Sequence, residues 1–313
     1  MINGSVFHDL GNAQMLAMNP DEVFNEIKLR QGYSSKVTRD PDFVKQNEVL
    51  DSRGSRWKAL NCARRSGKSH TEARDHIEIC LEYPKSRTIY MGLTLDSVTE
   101  IIWDVFKELN EAHKLGLKFN NSKKIIFYPN GSRTRLFGLD ASHRQMAKVL
   151  GQKIRKVSID EAGSITVDLE EFCFQKLRPA LSDLAPLSWL TLLGACETIP
   201  NTYFQRVTEG KCELFDWNVF KWTAYENPHM VKQWTAEMEE IKQKTPLALE
   251  TASFKTHYLN IWCYDENLLI IPASKMGFED RLPVLKRGQE WHYMLGVDLG
   301  YNDATAYTLI AFS

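Results

Sequence analysis

The stretch Trp57-Lys-Ala-Leu-Asn-Cys62-Ala-Arg-Arg-Ser-Gly-Lys-Ser69 decides the reading of this chain. Residues 57–61 read as a strand, and they run directly into a loop that closes on Gly67-Lys68-Ser69. Residues 68–82 then have a helical pattern that must stop before Pro84. A strand, a tight basic loop and a helix in that order make a phosphate cradle. The loop amides and the helix N-terminus face an anion, the lysine neutralises it, and the serine hydroxyl is placed to bind Mg²⁺. Gly-Lys-Ser alone is weak evidence, and its strand–loop–helix context supplies most of its weight. The plain alternative is a basic turn with a helix cap at Ser69. The first loop position, usually glycine, is Cys62, and Arg64 and Arg65 fill the loop.

A second motif falls where such a loop needs one. Lys156-Val-Ser-Ile-Asp160-Glu161 is a strand ending in adjacent acids, which places both carboxylates at the C-terminal edge of a sheet beside the loop. There Asp160 suits a water on Mg²⁺, and Glu161 suits polarisation of an attacking water. Either motif alone could be structural; together they point to ATP as ligand and Mg²⁺-dependent hydrolysis as activity.

Outward from these motifs, short helices are expected at Pro20–Leu29 and Asp42–Leu50, and a strand at Arg87–Leu93. Residues 97–115 form a helix with Val98, Ile101, Ile102, Val105, Leu109 and Ala112 on one face. Lys124–Tyr128 and Arg133–Gly138 flank Pro129-Asn-Gly-Ser as a hairpin. A helix over 168–181 and a strand at Trp189–Gly194 follow. Strands alternating with helices, each strand read as an unbroken apolar run, predict an α/β fold with a mostly parallel sheet covered on both faces. The composition turns helical and rich in Glu and Lys from Asn227 to Tyr258, and a last strand begins at Trp291. The expected domains are a P-loop core at 1–222, a lid or linker at 223–288, and the start of another domain at 289–313.

The chain has 313 residues and a formal net charge of −1, so a simple, globally basic nucleic-acid-binding module is excluded. The charge is nevertheless uneven. Lys123, Lys124, Arg133, Arg135, Arg144, Lys148, Lys153, Arg155 and Lys156 share residues 123–156 with one acid, Asp140, a local excess of nine minus one, or +8. That suits a track for phosphates or an intersubunit surface, although strand edges also collect lysine and arginine. The six cysteines contain no metal-ligand spacing, no leader is recognisable, and no apolar run could cross a bilayer, so a cytoplasmic protein is expected.

With these residues in place, the chain resembles the large terminase subunits of tailed bacteriophages. Cys62-Ala-Arg-Arg-Ser-Gly-Lys-Ser is similar to their arginine-bearing loop, and Ser158-Ile-Asp-Glu-Ala-Gly is similar to their acidic strand. Leu192-Leu-Gly-Ala-Cys-Glu-Thr-Ile-Pro-Asn sits where that family couples hydrolysis to motion, although the family's Gly-Thr-Pro is not intact. Tyr225-Glu-Asn-Pro-His and Phe254–Trp262 resemble the lid. Gly296-Val-Asp298-Leu-Gly300 resembles the first strand of an RNase H-like nuclease.

The resemblance implies an ASCE/RecA-like P-loop NTPase in which Cys62, Ala63, Arg64, Arg65, Ser66, Gly67, Lys68, Ser69 and His70 bind ATP. It implies Mg²⁺ on Ser69 and Asp160, catalysis by Glu161 and Arg64, and coupling through Gly194, Ala195 and Cys196. Gln46 would read the adenine edge, and Arg144 would reach into a neighbouring subunit's site. Lys123, Lys124, Arg133 and Arg135 would touch DNA. Asp298 would be one nuclease metal ligand, but a two-metal site needs more carboxylates than the sequence supplies before Ser313, so a truncated chain or an ATPase portion is expected. The implied partners are double-stranded DNA, the portal protein of the procapsid, the small terminase subunit and further copies in a ring, expected as a pentamer. The implied place is host cytoplasm, docked on the procapsid. A helicase or DNA-remodelling ATPase, and a nucleotide-dependent switch without turnover, are the competing readings.

Overall fold

A short helix, α1 (Val44–Asp51), leads into strand β1 (Trp57–Cys62) and helix α2 (Lys68–Glu82). The bounds of α2 have local causes. Gly67 takes a left-handed conformation, φ 87°, that turns the chain into the helix, and Tyr83, held extended ahead of Pro84, ends it. The computed structural model describes residues 37–165, 168–197, 201–212, 214–263, 290–298 and 306–312. The helix expected at Pro20–Leu29 lies outside them, as do Thr198–Pro200 of the coupling stretch and Gly300.

Strand β2 (Arg87–Gly92) and helix α3 (Leu95–His113) follow, the helix opened by a capping box in which the Thr94 and Ser97 side chains satisfy each other's backbone N–H. The buried face of α3 carries Val98, Ile102, Trp103, Phe106 and Leu109. This corrects the expected stripe, because Ile101 and Val105 are half-buried and Ala112 is exposed. The helix turns so that its two large aromatic side chains reach the core, which removes more apolar area from water than the smaller set would.

Strands β3 (Lys118–Asn120), β4 (Ile125–Phe127) and β5 (Arg133–Gly138) come next, then helix α4 (His143–Leu150) and strand β6 (Lys156–Ile159). The 169–182 helix, α5, begins as Leu169–Glu171, widens into a π-helical Phe172–Leu177 and ends as Arg178–Ser182. Strand β7 (Trp189–Gly194), helix α6 (Tyr203–Thr208), strand β8 (Trp217–Trp222) and helices α7 (Val231–Lys244) and α8 (Ala252–His257) complete this part. Strands β3 and β8 and helix α4 add to the elements that the sequence pattern indicates. The β8 sequence, Trp-Asn-Val-Phe-Lys-Trp, has the aromatic and β-branched content of a strand but sits where the composition changes.

The eight strands form one sheet in the order β3-β4-β5-β2-β6-β7-β1-β8. The pairs from β5 to β8 are parallel, and β3–β4 and β4–β5 are antiparallel. The expected hairpin is therefore real, but its second strand also joins the parallel sheet through β2. Strand β7 separates β1 from β6, so the segment after Gly194 emerges between the phosphate-loop strand and the acidic strand.

The strands are not unbroken apolar runs. Lys58 on β1 and Lys156 on β6 are fully buried and face α2, because strand side chains alternate and this face is polar beneath the helix. The chain divides into two units with the boundary between 265 and 266. The second contains an antiparallel pair, β9 (His292–Asp298) and β10 (Ala306–Phe312), with Asp298 opposite Ala306.

Candidate functional site: a phosphate loop beside an acid pair

The loop after β1 is shaped from several directions. The Trp222 carbonyl accepts from Ala63 N–H at 3.1 Å, and the Trp222 indole donates to the Ser66 carbonyl at 2.8 Å. Arg64 N–H donates to the His257 carbonyl at 3.1 Å, and the Asn227 amide donates to the Arg65 carbonyl at 3.1 Å. Arg65 is held at φ 59°, a left-handed conformation uncommon for a residue with a Cβ and tolerated where surrounding bonds fix it. A Cβ on Gly67 would come within 3.0 Å of the Phe43 ring, so both its φ and its neighbours demand glycine.

These contacts leave the anion-facing side of the loop unfilled. No side chain caps the N-terminus of α2, so its first N–H groups remain available. The Ser66 hydroxyl is buried without a hydrogen-bond partner, an orphan whose cost a bound phosphate oxygen would remove. Arg64 and Arg65 are exposed, and Lys68, Ser69 and His70 are partly exposed. Burial, then Arg74, lowers His70 to about 4, so its ring is neutral at pH 7. Cys62 and Ala63 are buried in the base of the loop.

Strand β6 delivers the acids. Ser158 and Asp160 alternate onto the α2 face, while Val157 and Ile159 enter the apolar core on the other side. One Asp160 oxygen accepts from Tyr90 Oη at 2.6 Å and the other from Glu161 N–H at 2.8 Å. Burial raises the Asp160 carboxyl above its ordinary value, against the pull of Lys68 and these two hydrogen bonds. Glu161 sits at φ 54° and is partly exposed. Burial, then the Asp160 charge, pushes its carboxyl up, while Lys68 and Arg64 pull it down. A carboxyl poised above its usual range beside two cations is suited to accepting a proton from water.

Ser69 follows Lys68 at the start of α2, and Lys68 acts electrostatically on Asp160. The hard oxygen donors of Ser69 and Asp160 fit a Mg²⁺ carried in on nucleotide phosphates, which needs only one or two protein ligands. No group of three or more His, Cys, Asp or Glu able to hold a metal occurs among the described residues.

The segment after β7 packs against the turn that follows the acids. A Cβ on Gly163 would meet the Ala195 carbonyl at 2.7 Å, and one on Gly194 would meet the backbone N–H of Gly163 at 3.2 Å. Backbone therefore touches backbone between the acid turn and the stretch Gly194, Ala195 and Cys196. Cys196 Sγ reaches Asn61 Oδ1 at 3.5 Å, and Ser164 Oγ donates to Glu197 at 3.2 Å. Glu197, which raises Glu161 further, lies within the expected coupling stretch, where sequence alone gives it no role of its own. Tyr90 belongs to no motif and reads as one more aromatic residue in a strand.

Gln46 is buried and its amide nitrogen donates to Thr71 Oγ1 at 3.1 Å, while Thr71 donates to the Gly67 carbonyl at 3.0 Å. It is not a solvated helix residue but a brace behind the loop. Arg144 is exposed in the first turn of α4 and takes no part in the interactions around Asp160 and Glu161. Asp298 ends β9 in the second unit.

The basic segment separates by role. Lys156 is buried, Arg155 donates to Ser86 and to the Leu187 carbonyl, and Lys124 lies over the Trp103 ring at 5.4 Å. Lys123, Arg133, Arg135 and Lys148 line a groove of about 410 Å³ together with Arg87, and no carboxylate lines it. Gln152 Oε1 accepts from both Arg87 and Arg133, at 3.2 and 2.9 Å, and Arg135 Nε is buried without a partner.

No family model and no curated protein match this sequence. Solved structures do. The chain is similar to the large terminase from a thermophilic bacteriophage, with a TM-score of 0.56 at 15% identity over 85% of this chain and 64% of that one. The same phage's large terminase in complex with ADP gives 0.54 at 14% identity, over 86% and 65%. The large terminase ATPase domain of Thermus phage P74-26 gives 0.50 at 14% identity, covering 79% of this chain and all of that domain. At these identities the likeness is one of fold: this chain has the P-loop α/β fold of large terminase ATPase domains. It spans just under two thirds of the first of these terminases.

Proposed function

We propose that this chain is the ATP-hydrolysing motor of a viral DNA-packaging enzyme, a large terminase subunit that moves double-stranded DNA into a procapsid. The observation that carries the reading is the meeting of an uncapped α2 N-terminus and Lys68 with the Asp160–Glu161 pair, inside the terminase ATPase fold. The α2 amides, Lys68 and the orphan Ser66 hydroxyl receive the phosphates. Ser69 and Asp160 hold Mg²⁺, which when bound neutralises charge on the phosphate oxygens. Glu161 orients a water and takes its proton, and Arg64, which already acts electrostatically on Glu161, stands beside the transferred group. Gly194, Ala195 and Cys196 relay changes at the acid turn through their backbone contact with it.

Grip on DNA is assigned to the basic groove, in which Arg87 and Lys148 join Lys123, Arg133 and Arg135. The strand-edge explanation does not hold for Arg133 and Arg135, because β5 lies between β4 and β2 and is not an edge. Lys124 is a weaker DNA candidate, since its ammonium is held over Trp103. Arg144 is the candidate for completing a neighbour's site in a ring. The portal, the small subunit, the ring and its location on the procapsid belong to the same proposal, as does a nuclease begun at Asp298. A helicase built on two RecA-like sheets is less well supported, because the only parallel sheet among the described residues is the eight-stranded one.

Phosphate release tests the reading. Lys68→Ala should fold and lose ATPase activity. Glu161→Gln should keep ATP binding and lose hydrolysis by roughly 10²–10⁴-fold, since only the proton acceptor changes. Near-native turnover by Glu161→Gln would remove the assigned base, and tight ATP binding without turnover in the native chain would favour the switch.

A further inference from the structure

We infer that Tyr90 is a positioning residue of the metal–nucleotide site, fixing the orientation of the Asp160 carboxylate. The inference rests on the ATPase reading above. Tyr90 lies on β2, paired in register with Ser158 of β6, two residues before Asp160. Strand alternation puts both side chains on the α2 face, and both are almost completely buried. The phenol donates to Asp160 Oδ2 at 2.6 Å. Its ring stands 5.6 Å from that of His76, centroid to centroid, which limits its rotation.

The orientation of Asp160 depends on few bonds. Its carboxylate has two donors, Tyr90 Oη and the Glu161 amide. The amide belongs to the next residue, so it constrains one oxygen only from within the same turn. Tyr90 is the partner that ties the other oxygen to a different strand, β2. A phenol carries a donor that a phenylalanine of the same shape lacks, so an apolar core position would not require it. Outer partners that fix a ligating carboxylate alter metal affinity without touching the metal.

The test uses the full chain and equilibrium binding of a fluorescent ATP analogue, with and without Mg²⁺, together with thermal melting. Tyr90→Phe should leave Mg²⁺-free nucleotide affinity within about twofold of native. The Mg²⁺ concentration giving half of the metal-dependent affinity gain should rise roughly 10- to 100-fold. An unchanged Mg²⁺ midpoint in a folded Tyr90→Phe chain overturns the assignment. If that variant does not fold, Tyr90→Gln, which can still donate, is compared with Tyr90→Leu. A lower Mg²⁺ midpoint for Gln than for Leu supports positioning, and equal midpoints overturn it. A native chain that binds no nucleotide would sink the ATPase reading and this inference with it, whereas native binding with an unchanged variant sinks only the inference.

Discussion

On the face of the sheet under α2, the buried side chains include Arg53, Lys58, Glu72, Asp75, His76 and Lys156; under α5 and α6 they include Ile89, Met91, Val157, Ile159, Leu190 and Leu192. The two faces cover the same strands. On the first, Lys156 pairs with Glu72 at 2.6 Å and with Asp75, which also pairs with Arg53. Ser158 donates to Glu72, and His76 bridges Ser158 and Thr88 through its two ring nitrogens. On the second, contact is apolar and nondirectional. A buried ionic network seldom adds net stability over a well-packed apolar core, but its members cannot be removed singly. Here it ties the helix that begins at the phosphate loop to the strand that ends at the acid pair. Apolar burial stabilises both faces, since Leu60, Ile77, Ile102, Phe106 and Leu193 form a core on the α2 side as well, and the ionic network adds fixed geometry to that face alone.

The largest expected effect comes from breaking the network at its centre. Lys156→Met should destabilise the chain by about 3–5 kcal/mol, because Glu72 is left buried without its cation and Asp75 keeps only Arg53 and the more distant Lys58. Leu192→Ala on the apolar face should cost about 2–4 kcal/mol, as core cavities usually do. Urea denaturation measures both. Adding Glu72→Leu to Lys156→Met, which removes one ion pair whole and leaves Asp75 on Arg53, should recover much of the loss if the network serves geometry, while no such rescue exists for Leu192→Ala. Failure of the double variant to regain stability would mean that the network itself holds the fold.

A difference in pH response should separate the faces next. Burial, then the Lys156 charge, lowers His76 to about 3 from an ordinary 6.5, so the folded chain keeps this ring neutral. As pH falls below 6.5 the unfolded chain binds that proton and the folded chain does not, so stability is lost progressively down to about 3. His70, lowered to about 4, adds to the same loss. Burial alone would raise Glu72, but Lys156, His76 and Ser158 outweigh it and hold Glu72 at about 2. Its stabilisation is therefore present above 4.5 and lost only below that. Stability against urea should fall between pH 6.5 and 5, and His76→Gln should reduce that slope by up to about 1.4 kcal/mol per pH unit. An unchanged slope would show that His76 does not stay neutral in the fold.

The smallest effect on stability is expected at the groove, where the consequence should appear in binding. Arg133→Gln with Arg135→Gln should leave melting nearly unchanged and weaken unrelated DNA duplexes by similar factors. The log–log salt slope should become shallower by about one unit for each phosphate that the variant no longer neutralises. A properly folded double variant with the native salt slope would transfer the groove to an intersubunit role.

These contrasts also explain what could be read from sequence. The helix at Lys68–Glu82 and the strand at Trp189–Gly194 are legible to the residue, because a glycine, a proline and an apolar run mark them. Lys68, Ser69, Asp160 and Glu161 are legible as adjacent motifs. The polar face is not. Glu72, Asp75, His76 and Glu78 follow the spacing of a solvated helical face, and only the burial of Lys58 and Lys156 on the strands beneath reveals otherwise. Tyr90 and Glu197 are hidden for a related reason, since each gains its meaning from a residue on another strand or turn. The bond of Gln46 to Thr71 is hidden in the same way, because that partner lies one turn into α2.

The grip on the phosphate loop has a further consequence, for the order of folding. Ala63, Arg64, Arg65 and Ser66 are bonded by Trp222, Asn227 and His257, and the Asn61 carbonyl by Asn260 at 2.6 Å. The indole of Trp222 lies 156 residues beyond Ser66, and Asn260 lies 199 beyond Asn61, so these bonds join very distant parts of the chain. Contacts that close large loops form late. During synthesis from the N-terminus, β1 and α2 leave the ribosome long before the residues that hold the loop between them. The loop must therefore wait unclosed until residue 260 has emerged, and nucleotide binding marks the completion of folding for this whole unit.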